Sequence, residues 1–323
     1  MSSVIGVDIG GTKVAVAELR DESLGQSTLE PTCCESADEL IDQLVRMIDA
    51  VRGDDLRGVG FGVPSVVEWE SGRAISSVNI PFADLPLRQV LGDRLGVPAF
   101  IDNDATVAAL AEAHDEHLQL VARNLVILTI GTGVGGGIVI NGRIYRGATG
   151  GAAELGHTIV GLDMSAGALP APLGTFPQPG SLEFVASGHA LDRLAGRAAA
   201  DEPGSELGKL RADGKKVLGP DAVTAAQDGD RVASQMVEIW GQRVGIGVAN
   251  AINTFDPEEV VIGGGAAQAG ELLLEPAKKI AAGYVLPGLG TKTTIRLARH
   301  GVRAGVLGAA LLAAHELEEQ AAA

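Results

Sequence analysis

The stretch Val4-Ile-Gly-Val-Asp-Ile-Gly-Gly-Thr-Lys-Val-Ala-Val-Ala-Glu18 places apolar runs on both sides of a Gly-Gly-Thr turn. This pattern predicts a strand, a tight turn and a second strand. Residues 125–145 repeat it, because Leu-Val-Ile-Leu-Thr-Ile precedes Gly-Thr-Gly-Val-Gly-Gly-Gly, and Ile-Val-Ile precedes the hairpin dipeptide Asn141-Gly142. Two such units, about 120 residues apart, indicate an internal duplication and hence two similar α/β domains.

The remaining chain alternates further strand and helix patterns. Helical spacing predicts helices over 38–52, with Asp38 as N-cap, over 105–113, over most of 181–253, and over 302–319. Short apolar runs predict buried strands over 59–63, 98–101 and 260–262, the last followed by Gly263-Gly264-Gly265. Residues 161–180, with Pro170, Pro172, Pro177 and Pro179 and almost no charge, predict a loop or lid.

Composition excludes several classes of protein. The chain has 323 residues, and 25 basic against 41 acidic side chains give a net charge of −16. A nucleic-acid partner is therefore not expected, because such a partner needs a basic face. The two cysteines, Cys33 and Cys34, are adjacent and cannot form a disulfide framework. With no signal peptide and no apolar run long enough to span a membrane, we expect a cytoplasmic protein without a membrane partner.

The glycine runs predict phosphate binding of a particular kind. Gly131-Thr-Gly-Val-Gly-Gly136 matches the dinucleotide fingerprint, but an apolar strand follows where that fingerprint needs a helix. The Walker pattern is absent. Successive backbone N–H groups in a glycine turn can still hold an anion. The alternative for any single run is an ordinary tight turn, which becomes less favoured when three such runs occur in one chain.

These segments resemble those of the ROK family of sugar kinases, and the resemblance covers most of the chain. Three glycine segments are similar to its phosphate and nucleotide motifs: Asp8-Ile-Gly-Gly-Thr-Lys13, Leu128-Thr-Ile-Gly-Thr-Gly-Val-Gly-Gly-Gly137 and Asp256-Pro-Glu-Glu-Val-Val-Ile-Gly-Gly-Gly265. Asn103-Asp-Ala-Thr-Val-Ala-Ala-Leu-Ala-Glu112 is similar to its catalytic segment. Its sugar-binding segments resemble Gly150-Gly-Ala-Ala-Glu-Leu-Gly-His157 and Ser181-Leu-Glu-Phe-Val-Ala-Ser-Gly188.

The resemblance implies an α/β fold of two ribonuclease H-like domains, the actin-like ATPase and hexokinase fold, with a cleft between them. It places a small domain at 1–117 plus 303–323 and a large domain at 118–302. It further implies ATP and Mg²⁺ as requirements, a hexose and a nucleotide as small-molecule partners, and a homodimer.

One departure from the family pattern concerns a metal. The family usually carries C-x-C-G-x-x-G-C after the histidine that corresponds to His157, and those thiolates bind a structural zinc. Residues 158–182 contain no cysteine, so no structural zinc is expected. We hypothesise that the Pro/Gly-rich segment 161–180 replaces the zinc motif as a lid or a dimer contact.

Asp104 is the predicted catalytic residue. A strand that runs into Asp102-Asn103-Asp104 and then a helix puts a carboxylate at a strand's carboxyl end, where α/β active sites form. Phosphoryl transfer to an alcohol needs such a carboxylate as general base. The alternative is that Asp104 is only the N-cap of the helix, and the resemblance favours catalysis.

The other candidate residues follow from the chemistry of the ligands. Amides, carboxylates and imidazole pair with vicinal hydroxyl groups, which makes the sugar-binding set Asn79, Asn103, Asp104, Glu154, His157 and Glu183. The resemblance gives the nucleotide set, with Mg²⁺ near Asp8: Asp8, Gly10, Gly11, Thr12, Lys13, Thr129, Gly131, Thr132, Gly133, Gly264 and Gly265. Lys13 either lies near phosphate or faces solvent, and His114 and His117 are interpreted as a solvated helix end rather than metal ligands.

The expected activity is ATP-dependent phosphorylation of the C6 hydroxyl of a hexose, with glucose as the first candidate. An N-acetylhexosamine, mannose or fructose kinase uses the same set of residues, and polyphosphate is an alternative phosphoryl donor. A sugar-sensing repressor of the same family would need an N-terminal helix-turn-helix, and this chain begins three residues before its first predicted strand. A non-catalytic sugar sensor is less favoured, because Asp104 and the glycine turns are all present.

Overall fold

The computed structural model describes residues 3–77, 79–162, 165 and 171–322. Contacts divide the chain into two compact units: unit 1 holds 1–127, 137–153 and 299–323, and unit 2 holds 128–136 and 154–298. These units keep 118–127 and 137–153 with the N-terminal part, whereas the sequence-based domain boundaries put both segments in the large domain. The predicted boundaries stay a prediction.

The strands of the described residues fall into three sheets. In chain order they are β1 (Ser3–Ile9), β2 (Lys13–Arg20), β3 (Ser23–Leu24), β4 (Thr28–Pro31), β5 (Leu56–Val63), β6 (Ser65–Glu68), β7 (Arg73–Ser77), β8 (Ala83–Leu85), β9 (Ala99–Asn103), β10 (Leu125–Ile130), β11 (Val134–Ile140), β12 (Arg143–Ile144), β13 (Glu259–Gly263) and β14 (Thr294–Leu297).

The α-helices of the described residues are α1 (Ala37–Asp49), α2 (Leu87–Leu95), α3 (Asp104–Glu112), α4 (Leu182–Ala186), α5 (Gly188–Asp201), α6 (Glu206–Ala212), α7 (Gly219–Gln227), α8 (Arg231–Phe255), α9 (Glu271–Tyr284) and α10 (Ala304–Ala322). Short 3₁₀ turns cover Leu155–His157, Gly265–Ala269 and Gly301–Arg303. None of the helices within the described ranges is both long and apolar enough to cross a bilayer.

The two larger sheets have the same strand order around a glycine turn. The first runs β3-β2-β1-β5-β9, with β4 also paired to β2, and the second runs β12-β11-β10-β13-β14. In each sheet the glycine turn joins the third and second strands of that order. This correspondence supports the internal duplication predicted from the repeated sequence. Strands β6, β7 and β8 form a separate three-stranded sheet that the sequence analysis did not predict.

Successive side chains of β1 point alternately to the two faces of the first sheet. Ile5, Val7 and Ile9 belong to a fully buried cluster that includes apolar side chains of α1 and α2. Because neighbouring strand residues point to opposite faces, Gly6 and Asp8 lie on the other face. There α10 packs so closely that a β-carbon at Gly6 would overlap the backbone of Val306 and Ala310. The same face therefore brings Asp8 to the beginning of α10.

Most predicted elements are present, with one correction at a helix start. The strands on both sides of the two glycine turns and the Asn141-Gly142 hairpin are confirmed by the antiparallel pairings β1–β2 and β11–β12. Asp38 is not the N-cap of α1. Ser36 caps it, since its side chain accepts a hydrogen bond from Glu39 N. Within the predicted loop 161–180, residues 163, 164 and 166–170 lie outside the described residues, including Pro170.

Candidate active site

The candidate residues divide between the two units, so the structure shows two separate groups. Unit 1 contains Asp8, Gly10, Gly11, Thr12, Lys13, Asn79, Asn103 and Asp104. Unit 2 contains Thr129, Gly131, Thr132, Gly133, Glu154, His157, Glu183, Gly264 and Gly265.

In unit 1 the register of three parallel strands brings the acidic residues to one edge. Asp8 of β1 pairs with Gly62 of β5, and Gly62 pairs in turn with Asp102 of β9. Asp104 follows two residues later, as the first residue of α3. A β-carbon at Gly62 would lie 3.5 Å from Asp104 Cα and 3.8 Å from Asp8 Oδ1. The carboxyl ends of these strands thus place Asp8 and Asp104 beside the same glycine.

Asp8 and Asp104 also interact through their charges. Burial and, to a smaller extent, the neighbouring negative charge of Asp104 raise the pKa of Asp8 to about 7, against an opposing effect of the Lys13 charge. Lys13 is exposed, and its positive charge acts on the Asp8 carboxyl group. A cation beside Asp8 would offset both the burial and the repulsion.

Asp104 is not the cap of its helix. The N-cap of α3 is Asn103, whose side-chain oxygen accepts hydrogen bonds from Ala105 N at 2.9 Å and Thr106 N at 3.3 Å. The amide nitrogen of Asn103 donates to Ser65 O. Asp104 is therefore not the N-cap residue of α3, although its Oδ1 also accepts a hydrogen bond from Ala105 N at 2.8 Å. Asn103 is a predicted sugar ligand, and three of the four hydrogen bonds that its side-chain amide can form are already made within the protein.

Thr32 holds the first glycine turn in place through two hydrogen bonds. The sequence analysis did not identify this residue. Thr32 Oγ1 donates to Gly10 O at 2.6 Å, and Thr32 N donates to Thr12 O at 3.1 Å. Asn79 lies against the turn, since a β-carbon at Gly11 would come 2.7 Å from Asn79 Cβ. The structure thus places Asn79, a predicted sugar ligand, next to the predicted phosphate motif at Gly11.

A cavity of about 500 Å³ opens beside this turn. Its walls include Asp8, Gly10, Thr12 and Lys13, together with Arg303 from the segment before α10. The exposed thiol of Cys34 lies 3.8 Å from both Gly11 O and Asn79 O, although the sequence suggested no role for the cysteines. The cavity is large enough for several phosphate groups, and its walls carry glycine backbone and a lysine.

Asp102 is an anchor rather than a ligand. Its buried carboxylate accepts from Arg146 Nε at 2.7 Å, and Arg146 also donates to Glu316 at 3.0 Å. The Arg146 guanidinium stacks 3.3 Å above the centre of the Trp69 ring. This network fixes the end of β9 immediately before Asn103 and Asp104. Nothing in the local sequence around Arg146 signals it, because its partners are 44 and 170 residues away.

Two further residues of the predicted catalytic region are structural. Glu112 is completely buried, and its carboxylate accepts hydrogen bonds from the backbone N–H groups of Arg299 and His300. It therefore ties the end of α3 to the segment that precedes α10. His114 is buried and bonded to Leu110 O, so its interpretation as a solvated helix end is wrong, whereas His117 is exposed.

In unit 2 the second glycine turn is held by Glu183. Glu183 Oε2 accepts a hydrogen bond of 2.9 Å from Val134 N, and a β-carbon at Gly133 would come within 2.5 Å of the same oxygen. Gly188 N, at the beginning of α5, donates to Gly131 O at 2.7 Å. Glu183, predicted as a sugar ligand, thus also fixes the backbone of a predicted phosphate turn.

The third glycine segment meets the second in unit 2. Gly264 has a φ of 76°, which favours glycine, and a β-carbon there would lie 2.5 Å from Ile130 O. At Gly131 and Gly265, by contrast, no atom of the described residues, apart from the adjacent residues in the chain, lies within 4 Å of a β-carbon position. Open space beside these glycines leaves room for a ligand to approach the backbone.

His157 ends the short 3₁₀ turn Leu155–His157, and Glu154 is the residue that caps its beginning. Glu154 Oε2 lies 3.8 Å from His157 Nε2, and both side chains are exposed. The ring of Phe176, from the Pro/Gly-rich segment, packs edge-on against His157 with ring centres 5.2 Å apart. Over the ranges that the structure covers, no three His, Cys, Asp or Glu side chains form a group suited to hold a metal ion.

Comparisons with known proteins agree with this architecture. The chain is 36% identical to a glucokinase of Halalkalibacterium halodurans over 317 residues, 94% of this chain and 92% of that protein. It is 31% identical to an N-acetyl-D-glucosamine kinase of Aliivibrio fischeri, over 95% of this chain and 98% of that protein. The crystal structure of a ROK family glucokinase from Streptomyces griseus, in complex with glucose and AMPPNP, superposes with a TM-score of 0.79 at 31% identity, covering 97% of this chain and 100% of that one.

The duplicated sheets, the glycine turns and this structural match define the class of protein: the chain has the actin-like ATPase fold of the sugar kinases, as predicted. Within that class the chain belongs to the ROK family, whose sequence model matches residues 4–316.

Proposed function

We propose that this chain is an ATP-dependent hexose kinase that phosphorylates the C6 hydroxyl group of glucose. The observation that carries the proposal is the register of β1, β5 and β9, which sets Asp8 of a glycine-turn motif and Asp104 at the start of α3 beside the same residue, Gly62. A phosphate site and a general base must be neighbours for phosphoryl transfer to an alcohol. The glucokinases to which the chain is similar supply the substrate class.

Asp104 is the proposed general base. Its carboxylate accepts the proton of the attacking hydroxyl group, which makes that oxygen a stronger nucleophile toward the γ-phosphorus of ATP. Asn79, Asn103, Glu154, His157 and Glu183 are proposed to bind the remaining hydroxyl groups and orient the sugar. Each of these side chains offers the donors or acceptors that a vicinal diol needs.

The glycine turns are proposed to bind the nucleotide. The two turns are closed by hydrogen bonds from Gly10 N to Lys13 O and from Gly131 N to Gly133 O. The backbone N–H groups of Gly11, Thr12, Thr132 and Gly133 are proposed to bind phosphate oxygens, Gly10 and Gly131 to let the phosphates come close, and Lys13 to add a positive charge. Thr129, Gly264 and Gly265 lie on the nucleotide side, and the open space beside Gly131 and Gly265 is consistent with a bound group there.

Mg²⁺ fits this arrangement. Burial and Asp104 both disfavour a lone negative charge at Asp8, and a divalent cation offsets both effects. Mg²⁺ is commonly held by one or two carboxylates together with water and substrate phosphates, so Asp8 is the residue that would hold it. When bound, the ion neutralises charge on the phosphates. We propose no structural zinc. The protein is proposed to be a homodimer in the cytoplasm.

An N-acetylhexosamine is the second candidate acceptor, because the N-acetyl-D-glucosamine kinase of A. fischeri matches this chain over nearly its whole length. Mannose, fructose and a polyphosphate donor are further alternatives. A coupled ADP-release assay with Mg·ATP should compare glucose, mannose, fructose, N-acetylglucosamine and N-acetylmannosamine. Glucose-dependent ADP formation at the highest kcat/KM supports the proposal. If another sugar gives a higher kcat/KM than glucose, that sugar is the preferred substrate. If no sugar is phosphorylated with either ATP or polyphosphate, the proposed kinase activity is wrong.

Asp104→Asn tests the base. General-base catalysis is worth roughly 10²–10⁴ in rate, so we expect kcat to fall by that factor while glucose affinity stays near that of the wild type. Asp38→Asn is the matched control, because Asp38 is also an acidic residue in the first turn of a helix and is exposed. Turnover by Asp104→Asn within tenfold of the control would remove Asp104 from the base role.

A further inference from the structure

A cavity of about 420 Å³ in unit 2 lies outside the residues assigned to sugar or nucleotide. Its described lining residues include three arginines and no acidic side chain: Val160, Gly161, Phe184, Val185, Ala190, Arg193, Leu194, Arg197, Arg243 and Ile246. Most of the others are apolar. A concave site of this volume, with apolar walls and a few charged groups, is typical of small-molecule binding.

The three arginines are held together by the packing of α5 against α8. Arg193 and Arg197 lie one helical turn apart on α5, and Arg243 comes from α8. Arg193 stacks on the Phe184 ring at 4.8 Å and donates to Phe184 O, and Arg243 Nη1 donates to Val185 O at 3.3 Å. These contacts orient the guanidinium groups of Arg193 and Arg243, and the carbonyl oxygens carry no net charge that would neutralise them.

The positive charges of Arg193 and Arg197 act on Arg243. Burial, together with the charges of Arg193 and Arg197, lowers the pKa of Arg243. No carboxylate of the described residues contributes an opposing effect at Arg243. In a chain with a net charge of −16, this lining of three arginines without an acidic side chain among the described lining residues is a local concentration of positive charge. A bound anion would offset that charge.

A second cavity continues the positive charge on the other side of Arg193. It measures about 450 Å³, and its walls carry Arg211, Lys215 and Lys216. The single acidic residue among its described walls, Asp192, is already engaged, because it accepts from Gly219 N at 2.6 Å and lies 3.2 Å from His189 Nδ1. Together the two cavities are lined by a row of arginine and lysine side chains that is longer than a single phosphate group.

We propose that the cavity at Arg193, Arg197 and Arg243 is a binding site for a small molecule with two or more phosphate groups, or with one phosphate group on an organic body. Guanidinium groups bind phosphate oxygens in a bidentate manner, and three of them converge here. The apolar wall of Val160, Leu194 and Ile246 suits the organic body, and the second cavity suits a longer phosphate chain. The site goes beyond the proposed kinase reaction and does not depend on it.

Isothermal titration calorimetry tests the site directly, with inorganic phosphate, tripolyphosphate and glucose 6-phosphate as separate probes at matched ionic strength. We expect Arg197→Ala to weaken the tightest of these probes by about tenfold, the typical loss for one charge-assisted pair. Arg231→Ala is the matched control, because Arg231 is exposed and lies on neither cavity. It removes the same charge and should leave the affinity within twofold of the wild type.

The choice of probe distinguishes the ligand sources. Tightest binding of tripolyphosphate identifies a phosphate chain, and tightest binding of glucose 6-phosphate identifies an organic phosphate. Binding that Arg197→Ala leaves unchanged places the anion at the glycine turns and overturns the proposal, as does the absence of binding by the wild type. Both variants should retain sugar-dependent ADP release. Failure of the proposed kinase activity would therefore be seen in the ADP-release assay, and failure of the proposed anion site in the calorimetry.

Discussion

The carboxyl group of Asp8 lies directly against Gly305, the second residue of α10. A β-carbon at Gly305 would overlap the carboxyl carbon and both carboxyl oxygens of Asp8. The two residues are 297 positions apart, and they meet because α10 packs on the face of β1 that carries Gly6 and Asp8. The first turn of the last helix therefore sets the position of a carboxylate at the first glycine turn.

Gly305→Ala should displace Asp8 and lower kcat. A shift of about 1 Å in a catalytic group can cost roughly 10²-fold in rate, so a loss of ten- to a hundredfold is expected. The control is Gly283→Ala, a helical glycine of α9 with no atom within 4 Å of its β-carbon position. Steady-state kinetics with varied ATP measures the effect. An unchanged kcat in a folded Gly305→Ala protein would show that Asp8 does not need this position.

Asp8→Asn should stabilise the ligand-free protein at pH 8 while it abolishes activity. The pKa of Asp8 is raised from 3.8 to about 7 in the folded state, so the folded protein binds a proton that the unfolded chain has released between these pH values. The stability of the wild type therefore falls as pH rises from about 4 to about 7. The penalty at pH 8 is at most about 4 kcal/mol, and Asn removes it.

Thermal unfolding in the presence of a chelator measures this effect at pH 4.5 and pH 8. The melting temperature of Asp8→Asn should exceed that of the wild type at pH 8, and the difference should shrink at the lower pH. Asp38→Asn again serves as control, with no expected change in that difference. A constant difference at both pH values would contradict the raised pKa of Asp8.

Two substitutions at Glu183 separate its two roles. Glu183→Gln keeps an oxygen that can accept from Val134 N, whereas Glu183→Ala leaves that N–H group without its acceptor. If Glu183 mainly fixes the second glycine turn, Ala should raise the KM for ATP by about tenfold, and Gln by less than threefold. An equal rise in the KM for the sugar with both substitutions would instead assign Glu183 to sugar binding.

Arg146→Met should destabilise unit 1 by leaving the buried carboxylate of Asp102 unpaired. Removing one partner of a buried ion pair costs about 3–5 kcal/mol. Thermal unfolding measures the loss, and the double variant Asp102→Asn/Arg146→Met should recover part of it, because the buried charge of Asp102 is then removed and only Glu316 still lacks the arginine. A double variant no more stable than Arg146→Met alone would show that the contacts of Arg146 with Trp69 and Glu316 carry the stability.

Local patterns were sufficient to predict the elements nearest the site. The glycine turns after β1 and β10, the strand that leads to Asp104 and the Asn141-Gly142 hairpin all follow from neighbouring residues, because turn chemistry and strand alternation are local properties. The capping residues were less predictable. Ser36 and Asn103, rather than Asp38 and Asp104, are the N-cap residues of their helices, and sequences with several acidic or polar residues in a row leave that choice open.

The sequence by itself determined the duplicated α/β pattern, the three glycine segments and the residues that can take part in the chemistry, because each depends on spacing within a short stretch of chain. Only the tertiary structure decided which residues meet. Thr32 fixes the first turn, Glu183 fixes the second, and Gly305 adjoins Asp8. The arginines of α5 and α8 also converge only after folding. Such contacts depend on the packing of helices and strands that are far apart in the chain, and no local pattern encodes them.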